Sequence, residues 1–167
     1  MTLKYFNQLG TQEAQAELFK CCGCTAWAET LAESMPFDSI SAIKAASDKI
    51  WSSCLQSDIL EAFSHHPKIG DVKSLTEKFT ATKQWASGEQ AAVSSAPKEV
   101  IENLAKGNKE YEQKFGYIFI VCATGKSAEE MLEMLNKRLL NAPEQEIRIA
   151  AKEQNKITHL RIEKLFA

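Results

Sequence analysis

Along most of the chain, apolar residues recur at three- and four-residue steps, the spacing of amphipathic helices. "TQEAQAELFKCCG" and "TAWAETLAESMPF" predict two short helices around Gly23, and Pro36 ends the second. Asp38 or Ser39 can cap a third, running to about Leu55, with Ile40, Ile43, Ser47, Ile50, Trp51 and Cys54 on one face. Asp58 can cap a short helix from Ile59 to about His65. Gly70 to Ala86 reads as a loop with a helical piece from Ser74, and a further helix starts near Ser87. The next spans Lys98 to Phe115. "FGYIFIVCATG" then breaks the pattern: its β-branched and aromatic run predicts a buried, extended connector. Ser127, with Glu130 three places on, opens another helix through a capping box. The last helix begins after Asn141, with Ile147, Ala150, Gln154, Ile157, Arg161 and Leu165 as its packing stripe. The expectation is an all-α single domain over residues 1–167: about seven or eight helices and one extended connector near 117–123.

Composition adds limits. At 167 residues a chain can bury roughly 70% of its extended surface and needs no covalent staple. A net charge of −2 gives no basic surplus for nucleic acid. No apolar run is long enough to span a membrane. The N-terminus "MTLKYFNQLGTQ" has no apolar signal core, and the odd count of five cysteines fits reduced thiols. A cytoplasmic, stand-alone protein is expected, since "EKLFA" is no peroxisomal address.

Candidate chemistry concentrates in "EAFSHHPKIGD". Pro67 disfavours helical backbone at His66, so the helix should stop at about His65 with His66 on a held, extended exit. Adjacent residues there cannot face one site, which makes His66 the better-placed imidazole for proton transfer near neutrality. A helix end with two solvated imidazoles explains the same residues. Further on, Ser87 and Gln90 fit a capping box, with Gly88 and Glu89 in the first turn, but free N–H groups there would also suit an anion. Arg161 lies on the stripe that otherwise packs, so it needs Glu89, an anionic substrate or an escape to water. A metal reading through His65, His66 and the cysteines is weak, because "CCGC" lacks the spacing of zinc pairs.

Together, "DILEAFSHHPKIGD", "SGEQAAV", "NKEYEQKFGYIFIVCATGKSAEEML" and "LNKRLLNAPEQEIRIAAKEQNKITHLR" resemble the 2-oxo-4-hydroxy-4-carboxy-5-ureidoimidazoline (OHCU) decarboxylases of urate breakdown. The resemblance spans nearly the whole chain. It implies an all-α enzyme that removes the substrate carboxylate as CO₂ and protonates stereospecifically to (S)-allantoin. It implies no metal or organic cofactor and a homodimer, while charge and hydropathy already predict no nucleic-acid or membrane partner. By the same resemblance His66 matches the catalytic proton donor, and Glu89 is the group that would orient it. Pro67, Ala86, Ser87, Gly88 and Gln90 match substrate-binding positions, and Phe119, Ile120, Val121, Cys122 and Ala123 match a strip offering main-chain groups to the ligand. Arg161 matches an arginine of the family's site. One departure stands out: many relatives carry serine where this chain has Ala86, and Ser87 lies one place later. A non-catalytic module binding a ureide on the same fold is the alternative that this departure leaves open.

Overall fold

The computed structural model describes residues 1–66 and 97–167, and among them the regular elements are all helical. They are α1 (Leu3–Phe6), α2 (Thr11–Cys22), α3 (Thr25–Glu33), α4 (Ile40–Ser53), α5 (Gln56–Ser64), α6 (Lys98–Phe115), α7 (Ala128–Leu139) and α8 (Pro143–Leu165). The loop expected over Gly70–Ala86 and the helix expected near Ser87 lie outside the described residues. The chain forms two compact units. One comprises Met1–His66, Ile120–Cys122 and Ile149–Ala167; the other comprises Pro67–Phe119 and Ala123–Arg148.

The first unit is built on α1 to α5 and most of α8. Its starts follow from caps the sequence displays. Ser39 Oγ accepts the Ala42 N–H at 3.1 Å and opens α4. Asp58, expected to cap α5 from outside, sits instead in its first turn and accepts the Leu55 N–H at 2.8 Å, so the helix begins three residues earlier than predicted. The expected α4 face is the one that packs, with Ile43, Ser47 and Trp51 buried. The core gathers Phe6, Leu18, Trp27, Leu31, Ile43 and Ile162, none of them exposed. Side chains of this size contribute roughly 1.5–3 kcal/mol each when fully buried. Both core tryptophans also satisfy their N–H groups: Trp27 Nε1 donates to Ser47 O at 3.4 Å and Trp51 Nε1 to Ala151 O at 3.0 Å.

α2 stops at Gly23, whose φ of 76° is left-handed. A Cβ there would also come within 2.7 Å of His65 Cβ. Glycine is therefore required twice, by the turn and by the closeness of α5's end.

In the second unit, α6 ends on left-handed Gly116 and α7 opens on the predicted capping box, with Ser127 Oγ accepting Glu130 N–H at 3.2 Å and Glu130 Oε2 accepting Ser127 N–H at 2.7 Å. α6 and α7 pack closely at Gly107, where a Cβ would meet Leu135 Cδ2 at 2.7 Å. The first turns of α8, to Arg148, belong to this unit and are held in it by a buried polar knot. Glu146 is fully buried and accepts from Arg138 Nε at 2.7 Å, from Asn141 Nδ2 at 2.7 Å and from the Tyr111 hydroxyl. Phe119 lays its ring 4.6 Å from the Arg138 guanidinium. Burial and the Glu146 hydrogen bond push the Tyr111 phenol well above its usual range, so it remains a donor.

The connector over residues 117–123 is neither helix nor paired strand, and Ile120, Val121 and Cys122 are buried. This is the predicted break in the helical pattern. The stripe of α8 differs from the expected one. Its buried positions are Glu146, Ala150, Glu153, Gln154, Thr158 and Ile162, while Ile147, Ile157, Arg161 and Leu165 are only half-buried. Ala150 and Gln154 lie where the stripe was expected; the other polar three, Glu146, Glu153 and Thr158, are ones an apolar periodicity does not register.

Candidate active site around His66

α5 tightens as it ends. His65 N–H donates to Ala62 O at 3.3 Å and His66 N–H to Phe63 O at 3.2 Å, the short bonds of a closing turn. The helix ends at Ser64, one residue before the predicted stop, and His65 is its C-cap. The two imidazoles then part. His65 is exposed and stacks its ring edge-on against Phe19, 4.9 Å between centroids. His66 is half-buried, and its Nε2 hydrogen-bonds Gln154 Oε1 of α8. A His65→Ala variant is therefore expected to keep a rate close to wild type while losing at most about 0.5–1.5 kcal/mol of stability from the ring contact. Parallel assays and urea melts check both.

Gln154 is fully buried and uses both ends of its amide. Its Nε2 donates to Cys22 O at 3.3 Å and to Thr158 Oγ1 at 3.3 Å, while Oε1 meets His66. Two turns on, Arg161 Nη1 donates to Cys21 O at 3.3 Å. Gln154 and Arg161 thus occupy carbonyls at the C-terminal end of α2, which its own ladder leaves without partners. The arginine's charge also suits the negative pole of that helix. Among the described residues no carboxylate pairs with Arg161, whose guanidinium carries five donors.

Glu153, beside Gln154, is also buried. Its Oε2 accepts the Cys122 N–H at 2.8 Å and its Oε1 pairs with Lys156 Nζ at 2.5 Å. One main-chain group of the strip is thereby held by a side chain. Burial raises the thiols nearby. Cys21 is pushed up to about 11, with Arg161 pulling partly back, and Cys22 and Cys54 are pushed up to about 12. They remain protonated at neutral pH and are poor nucleophiles. Among the described residues, no group of three or more His, Cys, Asp or Glu side chains is arranged to hold a metal ion.

The family model for OHCU decarboxylase matches residues 7–163. This chain belongs to the OHCU decarboxylase family. The uric acid degradation bifunctional protein TTL of Arabidopsis thaliana is 40% identical to it over 147 residues, covering 88% of this chain and 45% of that protein. The OHCU decarboxylase of Haloferax volcanii is 23% identical over 171 residues, covering 100% of this chain and 97% of its own. A solved structure of OHCU decarboxylase in the presence of (S)-allantoin matches at a TM-score of 0.72 and 38% identity, covering 90% of this chain and 96% of that one. The all-α architecture is thus that of the OHCU decarboxylase fold. The chain spans less than half the length of the Arabidopsis relative.

Of the residues matched to the OHCU decarboxylase site, His66 and Arg161 both lie in the first unit, and each bonds to a feature at the end of α2 or to the residue that holds it. Ile120, Val121 and Cys122 belong to the same unit. Phe119 belongs to the other, where its ring is engaged by Arg138, and Ala123 follows it there. Pro67, Ala86, Ser87, Gly88, Glu89 and Gln90 lie outside the described residues. Sequence reasoning gave Gln154 only a packing role and passed over Glu153. The available signal was two adjacent polar residues at the buried angle of α8, a pattern that packing alone does not require.

Proposed function

We propose that this chain catalyses the decarboxylation of OHCU to (S)-allantoin in urate degradation, as a carboxy-lyase that uses no metal or organic cofactor. The observation that carries the reading is the likeness, over nearly the whole chain, to a decarboxylase structure solved in the presence of (S)-allantoin. The chemistry suits the residues. Decarboxylation needs a held carboxylate, a place for the electron pair left behind and a proton for the resulting carbanion. The substrate's electron-poor imidazoline ring takes the charge, which is why the reaction can proceed without a cofactor. His66, as imidazolium, delivers the proton. Glu89 orients it and favours its charged form. Arg161 has donors beyond the one on Cys21 O and is the group proposed to hold the substrate carboxylate. Gln90 and the main chain of Phe119–Ala123, together with the 86–88 segment and Pro67, are proposed to contact the ureido and ring amides. Here the Cys122 N–H is already taken by Glu153.

The chain is further proposed to act in the cytoplasm as a homodimer. Among the described residues no helix is long and apolar enough to cross a membrane, and all five cysteines are free, as a reducing compartment favours. Light scattering decides the dimer. The activity is tested by generating OHCU in situ from urate, by oxidation and then ring hydrolysis, and following optical rotation. Purified protein should speed the appearance of dextrorotatory allantoin. Binding of (S)-allantoin without any such acceleration would establish the binding-module alternative instead.

A further inference from the structure

We infer that Gln154 is a positioning residue that keeps a hydrogen on His66 Nε2, so that the proton given to the substrate leaves from Nδ1; the inference rests on His66 being the acid of the proposed decarboxylation. The argument starts from the amide's two ends. A glutamine side chain has two N–H donors on one end and a carbonyl oxygen, acceptor only, on the other. Gln154 Nε2 lies 3.3 Å from Cys22 O and 3.3 Å from Thr158 Oγ1. Cys22 O is a carbonyl and can only accept. Thr158 Oγ1 directs its own hydrogen to Gln154 O at 3.1 Å, so it offers the amide a lone pair. Rotating the amide by half a turn would set its oxygen against both acceptors in a fully buried place, at the cost of two hydrogen bonds. The orientation of Gln154 is therefore dictated by its partners.

Its oxygen then faces His66 Nε2 and can only accept. Two of the three protonation states of imidazole satisfy it: the imidazolium, and the neutral ring with hydrogen on Nε2. The third, hydrogen on Nδ1 with Nε2 bare, opposes two lone pairs away from water and is disfavoured. Nδ1 is thus the nitrogen whose hydrogen comes and goes. When the carbanion is quenched, the Nδ1–H bond of the imidazolium breaks, its electrons stay on the ring, and a C–H bond forms on the substrate carbon. The product ring is neutral, still bonded to Gln154 through Nε2–H. Solvent returns a proton to Nδ1 for the next turnover.

The test is nitrogen NMR on the full chain carrying labelled histidine. The protein has three histidines, and His65→Ala and His159→Gln variants assign the signals. Above its titration, His66 should show a protonated-type Nε2 and a bare-type Nδ1 in the wild-type protein. A neutral His66 with bare Nε2 would overturn the inference, and this measurement needs no variant at the buried position. Gln154→Met should release the tautomer preference, displace the pH profile of kcat and lower kcat roughly tenfold or more with little change in KM, a part of the about 10²–10⁴-fold a positioned acid supplies. A folded Gln154→Met with wild-type tautomer, kcat and pH profile would equally overturn it. A wild-type protein that forms no allantoin would sink the proposed function and with it the delivery from Nδ1, while the tautomer measurement would still decide whether Gln154 keeps a hydrogen on His66 Nε2.

Discussion

A His66→Ala variant is expected to lose about 10²–10⁴-fold in the rate of (S)-allantoin formation, the range a single positioned acid or base contributes. The loss should fall on kcat, because the imidazole delivers its proton after the carboxylate has gone. Stereochemistry gives a second reading of the same step. A carbanion quenched by water is open on both faces, so product formed without the histidine should be racemic and show no net rotation. Total allantoin and optical rotation, followed together, separate the two effects. The fold should survive: His66 follows the last turn of α5 and is only half-buried. Its alanine variant leaves Gln154 Oε1 without its partner, a cost of about 1–3 kcal/mol if water does not replace the ring. Full optical activity in a folded His66→Ala protein would remove the histidine from the mechanism. Added imidazole restoring rate but not rotation would show that the ring acts as an acid and that its attachment at position 66 selects the face.

The division of the two histidines was legible because it rests on local covalent physics. Proline restricts the residue before it, the helix has to end, and neighbours on an exit diverge. The same holds for Ser39, Ser127 and Glu130, whose capping roles need only residues three apart. α1 escaped because four residues are too few to display a period. Asp58 was misplaced by one role, since a carboxylate works both as an outer cap and as the partner inside the first turn, and only the backbone angle of Leu55 decides between them. On the buried face of α8, Ala150 and Gln154 were legible, and Glu146, Glu153 and Thr158 were the deeper miss. Glu146, Glu153, Gln154 and Thr158 are buried because each meets a partner from a distant part of the chain or from the preceding turn. Periodicity senses apolar surface, and it cannot see a polar face satisfied by tertiary contacts. Arg161 was legible as an inward charge but not by its partner, a main-chain carbonyl, since every residue carries one.

The second large effect is expected far from the chemistry, in the knot around Glu146. Arg138→Met should lower unfolding stability by about 3–5 kcal/mol, the cost of leaving one member of a buried ion pair uncompensated. Arg138 is 6% exposed and Glu146 0%, so water cannot take the place of the guanidinium at little cost. Methionine replaces most of the stem's packing and isolates the loss of charge. Glu146 would retain the Tyr111 hydroxyl and Asn141 Nδ2, which is why the loss should stay below that of a bare buried carboxylate. Replacing both partners, Arg138→Met with Glu146→Leu, should cost less than the sum of the single variants, because no charge is left behind. The double variant would still deprive the Tyr111 hydroxyl of its Glu146 and Arg138 partners, so adding Tyr111→Phe should recover part of the remaining deficit. Urea melts of the wild type and the four variants give these differences directly, and Arg138→Met should melt roughly 10 °C lower on heating, at about 2–4 °C per kcal/mol for a chain of this size. An Arg138→Met protein as stable as wild type would show that the buried pair contributes no net stability. Phe119 rests its ring on Arg138, and it is the first residue of the strip proposed to contact substrate. Arg138→Met should accordingly raise KM in the allantoin assay more than it lowers kcat, the reverse of the His66 signature.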